Sequence, residues 1–340
     1  MKNRIYIFTF AALMLTACAD HNSTEPEVLS EQICFSIPVA QSTTKTPITD
    51  LAQIQNSATT SVFVYGKRGA NQINGTYYEG GQIFYAATGI WSLASGTTTW
   101  IAGATYNFWG WAYSPTTAEG NGLTIANNGE TITVEQPALY SANGTIDYLL
   151  ARQFPATATS STPIRGPIVT LELEHAMAMV EIYVTKNPEL FSVTVSNITV
   201  SNIYKEGVLT CSNHAIYGDG ATNQWGTAAS DTQDGSYSLT GSLAATDDRT
   251  TTPAVMKFIA IPQQLINTTT LTIECSVVEQ DGATPKTISR TFQLYKYGNF
   301  TVAQRNIYSL VVDTSIELQA TIKEWPAVSY VNGTILPEIK

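Results

Sequence analysis

The sequence predicts an all-β fold built as two antiparallel β-sandwiches, and three observations carry that prediction. Apolar and polar residues alternate in short runs along the whole chain, with almost no helical periodicity. Charged residues make up only 13%, and the polar remainder is largely Thr, Ser, Asn and Gln. The 23 glycines and 14 prolines supply the tight turns that many short strands need. With 340 residues the chain is long enough for two domains, each with a substantial core.

The chain opens with Lys2 and Arg4, followed by an apolar run that ends at Leu15-Thr16-Ala17-Cys18. A charged start, a short apolar core and small residues before a cut make a secretory signal, too short to span a bilayer. The cysteine directly after Thr16-Ala17 resembles the bacterial lipobox, in which cleavage between Ala17 and Cys18 leaves an acylated Cys18 as the first mature residue. Each buried acyl methylene contributes about 0.8 kcal/mol, so several chains on one cysteine hold a protein at a membrane surface. Residues 1–17 are therefore read as a lipoprotein signal peptide, and the polar residues 18–30 as a flexible tether. Loss of Lys2 and Arg4 takes the net charge from -10 to -12, which repels nucleic acid and anionic bilayer faces. No later apolar run reaches the length of a spanning helix.

The first strand is expected at residues 33–39, with Ile33, Phe35, Ile37 and Val39 on one face; Pro38 makes it an edge strand or a strand end. A Thr-rich loop with Lys45 follows. A second strand covers Val62, Phe63 and Val64, and Tyr77-Tyr78 and Phe84-Tyr85 flank an expected turn at Gly80-Gly81. Further strands are expected at Trp91 and at residues 106–113, where aromatics occupy both phases. That pattern suggests a strand covered on both sides, because alternate side chains point to opposite faces and cannot form one flat sugar platform. Strands at residues 123–125, 131–134 and 147–152 lead into a Ser/Thr/Pro stretch, and a domain boundary is placed near Pro167, dividing the fold into 31–166 and 167–340.

Val169, Leu171 and Leu173 alternate inward, whereas Ala178, Val180, Ile182 and Val184 alternate in the opposite phase. A flip of parity near His175-Ala176-Met177 reads as a β-bulge, and His175 as a bend marker rather than a base. Residues 191–200, 271–277, 288–294 and 307–312 alternate, and residues 258–262 form a buried run closed by proline. Residues 213–236, rich in Gly, Asp, Asn and Thr, are expected to form a long surface excursion.

No catalytic constellation can be assembled. Of the three histidines, His21 lies in the tether, and His175 and His214 lack metal-ligand spacing. There is no nucleophile elbow, phosphate loop or dinucleotide fingerprint. Asp219, Asp231 and Asp234 lack a regular calcium-ligand spacing. The reading is therefore no enzyme, no metal and no cofactor. Beyond Cys18, an odd three cysteines remain: Cys275 is in phase with the core, Cys34 is out of phase and read as exposed, and a bridge from Cys34 to Cys211 or Cys275 stays open.

Several of these segments, taken in order, resemble the fimbrillin family, the subunits of type V pili. They are the lipobox, the Phe35-Ser36-Ile37 strand with its Thr-rich loop, the aromatic strand closing on Tyr113-Ser114-Pro115, Asp147-Tyr148-Leu149-Leu150, Leu171-Glu172-Leu173-Glu174-His175-Ala176, Asn306-Ile307-Tyr308-Ser309-Leu310 and Ile322-Lys323-Glu324-Trp325. The resemblance implies two tandem transthyretin-like sandwiches and export as a lipid-anchored precursor to the outer membrane. It further implies cleavage after the first strand by an Arg-specific protease and replacement of that strand by the carboxy-terminal strand of another subunit. The exchanged strand would carry Ile33, Phe35, Ile37 and Val39. The donor would lie within 327–340, where Val328 and Tyr330, then Asn332-Gly333, then Ile335 read as a hairpin with a type I′ turn.

This sequence departs from the processed-stalk pattern, since the loop offers Lys45 and no arginine before Arg68. Without cleavage the subunit is an anchor or accessory component; with cleavage after Lys45 it is a stalk component. A tip role, with loops such as 213–236 meeting a host or bacterial surface ligand, is a third arrangement. The competing reading is a surface lipoprotein that captures glycans through Trp91, Trp100, Trp109 and Trp111.

Overall fold

The computed structural model describes residues 29–37, 61–69, 77–85, 91–93, 99–114, 123–126, 131–135, 147–151, 154–171, 173–204, 206–210, 225–227, 233–247, 254–313 and 315–324. The strands of the first half are β1 (Leu29–Ser30), β2 (Phe35–Ser36), β3 (Ser61–Gly69), β4 (Tyr77–Tyr85), β5 (Trp91–Leu93), β6 (Thr105–Ser114), β7 (Leu123–Ala126), β8 (Thr131–Glu135), β9 (Asp147–Ala151), β10 (Phe154–Thr157), β11 (Gly166–Pro167), β12 (Val169–Thr170) and β13 (Leu173–His175). Those of the second half are β14 (Ala178–Lys186), β15 (Ser192–Ile203), β16 (Glu206–Thr210), β17 (Trp225–Thr227), β18 (Gly235–Ala244), β19 (Met256–Ala260), β20 (Thr270–Val278), β21 (Lys286–Gln293), β22 (Gln304–Val312) and β23 (Ile316–Glu324). A short 3-10 helix, Leu294–Tyr297, separates β21 from β22. The all-β expectation holds.

In the first half the strand order is β12-β2-β5-β4-β3-β6-β9-β13, with β10 paired to β6. The two ends of this path, β12 and β13, are separated in the chain by only residues 171 and 172, so the path turns back on itself around one core. That core holds Ile33, Phe35, Ile37, Val64, Tyr106, Phe108, Leu149, Val169, Leu171 and Leu173. Leu171 and Leu173 share a face because successive strand side chains alternate.

In the second half, sheet β19-β14-β22-β23 faces sheet β18-β15-β20-β21. Their inward residues, among them Val180, Ile182, Val195, Ile198, Phe258, Ile273 and Leu310, make a second core. β14 runs parallel to β22 and antiparallel to β19; the other pairings in these two sheets are antiparallel. A further sheet, β17-β16-β8-β7, contains strands from both halves, with Val208 of β16 opposite Thr133 of β8.

Four local expectations change. Gly80-Gly81 makes no turn: β4 is continuous, and a register shift between Val64 and Gly66 of β3 absorbs the extra residue as a bulge, which a glycine accommodates easily. The parity flip near His175 is a change of partner rather than a bulge within one ladder. β13 pairs with β9 while β14 pairs with β19 and β22, and Ala176 and Met177 cross between cores. Residues 166–175 pair with first-half strands. Part of the expected surface excursion at 213–236 is structured, since β17 joins the sheet shared by both halves; residues 211–224 and 228–232 lie outside the described residues.

Gly166 shows how tightly the first half is packed. A Cβ built there would fall 2.3 Å from Cε2 of Trp100, closer than two carbons approach. Gly166→Ala is expected to lower stability by about 1–3 kcal/mol, because a buried indole cannot move aside freely. Chemical denaturation of the two proteins side by side checks this.

Candidate functional site

The amino-terminal segment 29–37 is held by a series of different elements. Leu29 and Ser30 of β1 pair with Pro167 and Gly166. The Trp100 amide donates to the Glu31 carbonyl at 3.2 Å, and Gln32 bridges to Thr99. Val169 donates to the Cys34 carbonyl at 2.9 Å and Leu171 to the Ser36 carbonyl at 2.8 Å, while Phe35 pairs on its other side with Trp91. β2 thus lies between β12 and β5, and β12 rather than β2 ends the strand path. Of the two positions expected from Pro38, the strand-end one fits: β2 stops at Ser36, before the residue that has no amide to donate.

Ile33, Phe35 and Ile37 are all buried in the first core. The Phe35 ring meets Phe108 edge-on at 5.8 Å, within a cluster in which Trp100 stands edge-on to Tyr106 at 5.0 Å and Tyr106 stacks on Phe108 at 5.5 Å. Each such side chain contributes about 1.5–3 kcal/mol by leaving water, so the segment is held by its side chains as well as by its ladder. Ser30 is buried as well, and its hydroxyl oxygen accepts from the Gln32 amide at 3.2 Å. Val39, Lys45, Ala17, Cys18 and the expected donor residues Val328, Tyr330 and Ile335 lie outside the described residues.

The aromatic strand β6 is covered on both faces. Tyr106, Phe108 and Ala112 point into the first core. Trp111 and Tyr113 point the other way, into a third core made with Tyr148, Leu150, Met177, Met179, Leu209, Trp225, Ile259 and Ile261 from both halves of the chain. Phe63 stacks on Trp111 and on Tyr113, each at 5.7 Å. Trp100 and Trp111 are therefore core residues and do not form a sugar platform; the side chains of Trp91 and Trp109 are not among those described.

Trp225 is the side chain that sequence reasoning missed. It sits in a polar stretch without alternation, yet it is buried in the shared core and its Nε1 donates to the Ala176 carbonyl at 2.7 Å, at the crossing between the halves. Gly207 is what lets it approach. A Cβ there would lie 2.6 Å from Cγ2 of Ile261 and 3.0 Å from Cε3 of Trp225. An aromatic in an otherwise polar run, in a chain whose aromatics are mostly buried, was the available signal.

Cys34 is buried, contrary to the expectation of exposure, because the reverse face of β2 is covered too. Cys275 is a free thiol in the second core, where burial pushes its pKa up to about 12, so the Cys34–Cys275 pairing is excluded. His175 is buried at the end of β13. Among the described residues no three His, Cys, Asp or Glu side chains converge as a metal site, and no helix is long and apolar enough to cross a membrane.

The model of the fimbrillin-like family matches residues 44–325. The chain belongs to the fimbrillin-like family. Among solved structures, this fimbrillin-like chain is similar to a candidate cell adhesion protein from Bacteroides uniformis, at 15% identity and a TM-score of 0.51, over 87% of this chain and 98% of that one. A candidate cell adhesion protein from Bacteroides ovatus is similar at 14% identity and a TM-score of 0.50, over 87% of this chain and 97% of that one. The tip fimbrial protein Mfa3 from Porphyromonas gingivalis matches at 10% identity with a TM-score of 0.40, over 86% and 99%. No curated protein matches the sequence. Family membership gives this chain the role of a fimbrial subunit.

Proposed function

We propose that this fimbrillin-like subunit is exported to the outer membrane as a lipoprotein precursor acylated at Cys18, and that a cut which removes the segment carrying Cys18 and β2 lets it join other fimbrial subunits by strand exchange at the position of β2; uncut, it stays as an anchor or accessory component. Two transthyretin-like sandwiches in tandem would form its body, and no enzymatic role is assigned. The observation that carries this reading is the placement of segment 29–37. It is short, takes the last two residues of the expected tether, Leu29 and Ser30, into β1, fills the first core with Ile33, Phe35 and Ile37, and has a neighbouring strand on each side of β2. A strand withdrawn from such a position leaves an apolar floor and unpaired backbone groups on both walls, and an incoming strand could satisfy both. The candidate cleavage residue Lys45 follows eight residues after Ile37, so a cut there would free the segment at its carboxy-terminal side.

Cleavage after Lys45 is expected to yield heat-sensitive, detergent-resistant ladders on gels, and deletion of residues 327–340 is expected to abolish them. Cut protein that stays monomeric with its tail intact would refute exchange. Mass spectrometry of the native amino terminus separates the roles: acylated Cys18 means an anchor or unprocessed precursor, and Thr46 means a stalk subunit. The glycan-capture reading keeps less support, because Trp100 and Trp111 are inside.

A further inference from the structure

The second-half sandwich is stitched along one side and open along the other. On the stitched side Thr185 at the end of β14 bridges to Thr246, just after β18, and the Lys186 amide donates to the Thr246 carbonyl at 2.8 Å. On the open side β21 and β23 form the outer edges of their sheets, and among the described residues each pairs only on its inner side. An unpaired edge is a template for another strand, and side chains decide whether that template is blocked or used.

The β21 edge is guarded by cations: Lys286 reaches Glu279 at 2.7 Å, and Arg290 lies over the Phe292 ring at 5.5 Å. The β23 edge is different. Ile316, Leu318, Ala320 and Ile322 face the core side, with Ile316 buried, Leu318 and Ala320 partly covered and Ile322 exposed at 42%. Glu317, Gln319, Thr321 and Lys323 alternate with them on the other face. Of the three charged residues of β23, Glu317 and Lys323 are of opposite sign and sit three residues either side of Ala320, and Glu324 ends the strand.

We propose that the β23 edge is a pairing surface for a second copy of this chain, antiparallel about a two-fold axis through Ala320. In that register Glu317 stands opposite Lys323 of the partner subunit, and the symmetry repeats the pair. Leu318 meets Ile322 of the partner subunit on the core side, covering the exposed end of the strand. Gln319 meets Thr321 of the partner subunit. A slip by two residues in either direction separates both ion pairs, so the charges fix the register. The arrangement is isologous and closes as a dimer, joining two four-stranded sheets into one of eight strands. It does not involve segment 29–37 and is independent of the exchange proposed above.

Sedimentation of the full chain in a non-ionic detergent tests this. A concentration-dependent monomer–dimer equilibrium is expected. Glu317→Lys, which sets lysine against lysine twice, is expected to weaken it by about tenfold, and the swap Glu317→Lys with Lys323→Glu to restore it to within about threefold. Both residues are exposed, and an unchanged melting temperature will show that the variants fold. A chain that is monomeric throughout, association indifferent to Glu317→Lys, or no recovery in the swap overturns the proposal. Dimers that form only once residues 327–340 are deleted would assign the edge to the chain's own tail, and overturn it equally.

Discussion

Glu181→Gln lowers the stability of the second-half sandwich by about 3 kcal/mol at neutral pH, and urea unfolding measures the loss directly. Glu181 sits on β14 between β19 and β22, where its side chain is only 3% exposed. Nη2 of Arg305 on β22 donates to one carboxylate oxygen at 2.7 Å, and Nζ of Lys257 on β19 lies 3.1 Å from the other. One carboxylate therefore ties together three adjacent strands. The cations are about a quarter exposed, at 23% and 26%, and keep part of their hydration. The cost of the substitution arises from leaving two positive groups beside a neutral amide at a position with little access to water.

Acid dependence follows with a definite sign. Burial alone pushes the Glu181 carboxyl up, but the Arg305 hydrogen bond and charge, with Lys257 behind them, outweigh it and hold the group below its usual value of 4.5. A folded-state value below the unfolded one means the stabilisation is fully present above about pH 4.5 and is lost as the pH falls through the depressed folded value. Melting temperatures of the native chain should therefore fall more steeply on acidification than those of Glu181→Gln. Parallel acid limbs in the two proteins would show that the carboxylate contributes nothing there.

Trp225→Ala costs about 4 kcal/mol and loosens the attachment of the two halves, whereas Trp225→Phe costs about 1–2 kcal/mol. The alanine variant opens a cavity among Trp111, Leu209, Ile259 and Ile261 and removes the hydrogen bond to the Ala176 carbonyl. The phenylalanine variant keeps most of the volume and loses only the donor. Calorimetry distinguishes loosening from simple destabilisation. In the alanine variant the ratio of calorimetric to van't Hoff enthalpy should rise above that of the native chain as the halves begin to unfold separately. A single sharp transition in both would mean that the shared core does not couple them.

Much of the architecture could be read from alternation alone. Residues 271–277 fall within β20, and their apolar phase is the buried one, because a half-buried strand writes its orientation directly into its sequence; residues 307–312 fall within β22, where Tyr308, Leu310 and Val312 enter the second core while Ile307 and Ser309, in the opposite phase, are buried as well. The double coverage of β6 was legible for the same reason: Phe108 and Trp111 stand in opposite phases, and both are buried. Gly80-Gly81 misled, since a glycine pair serves a turn or a bulge equally well and only the neighbouring strand decides.

The sequence by itself determined the class of fold and the phase of strands such as β20, because each of these is a local property of consecutive residues. Tertiary structure alone decided that β2 has a neighbour on each side, that Trp225 and Gly207 meet Ile261 across the shared core, and that Glu181 is caught between Lys257 and Arg305. Those partners lie from about twenty to more than a hundred residues apart in the chain. No local pattern encodes such a distance; it is fixed only when sheets stack and the cheapest burial of every apolar face is found at once.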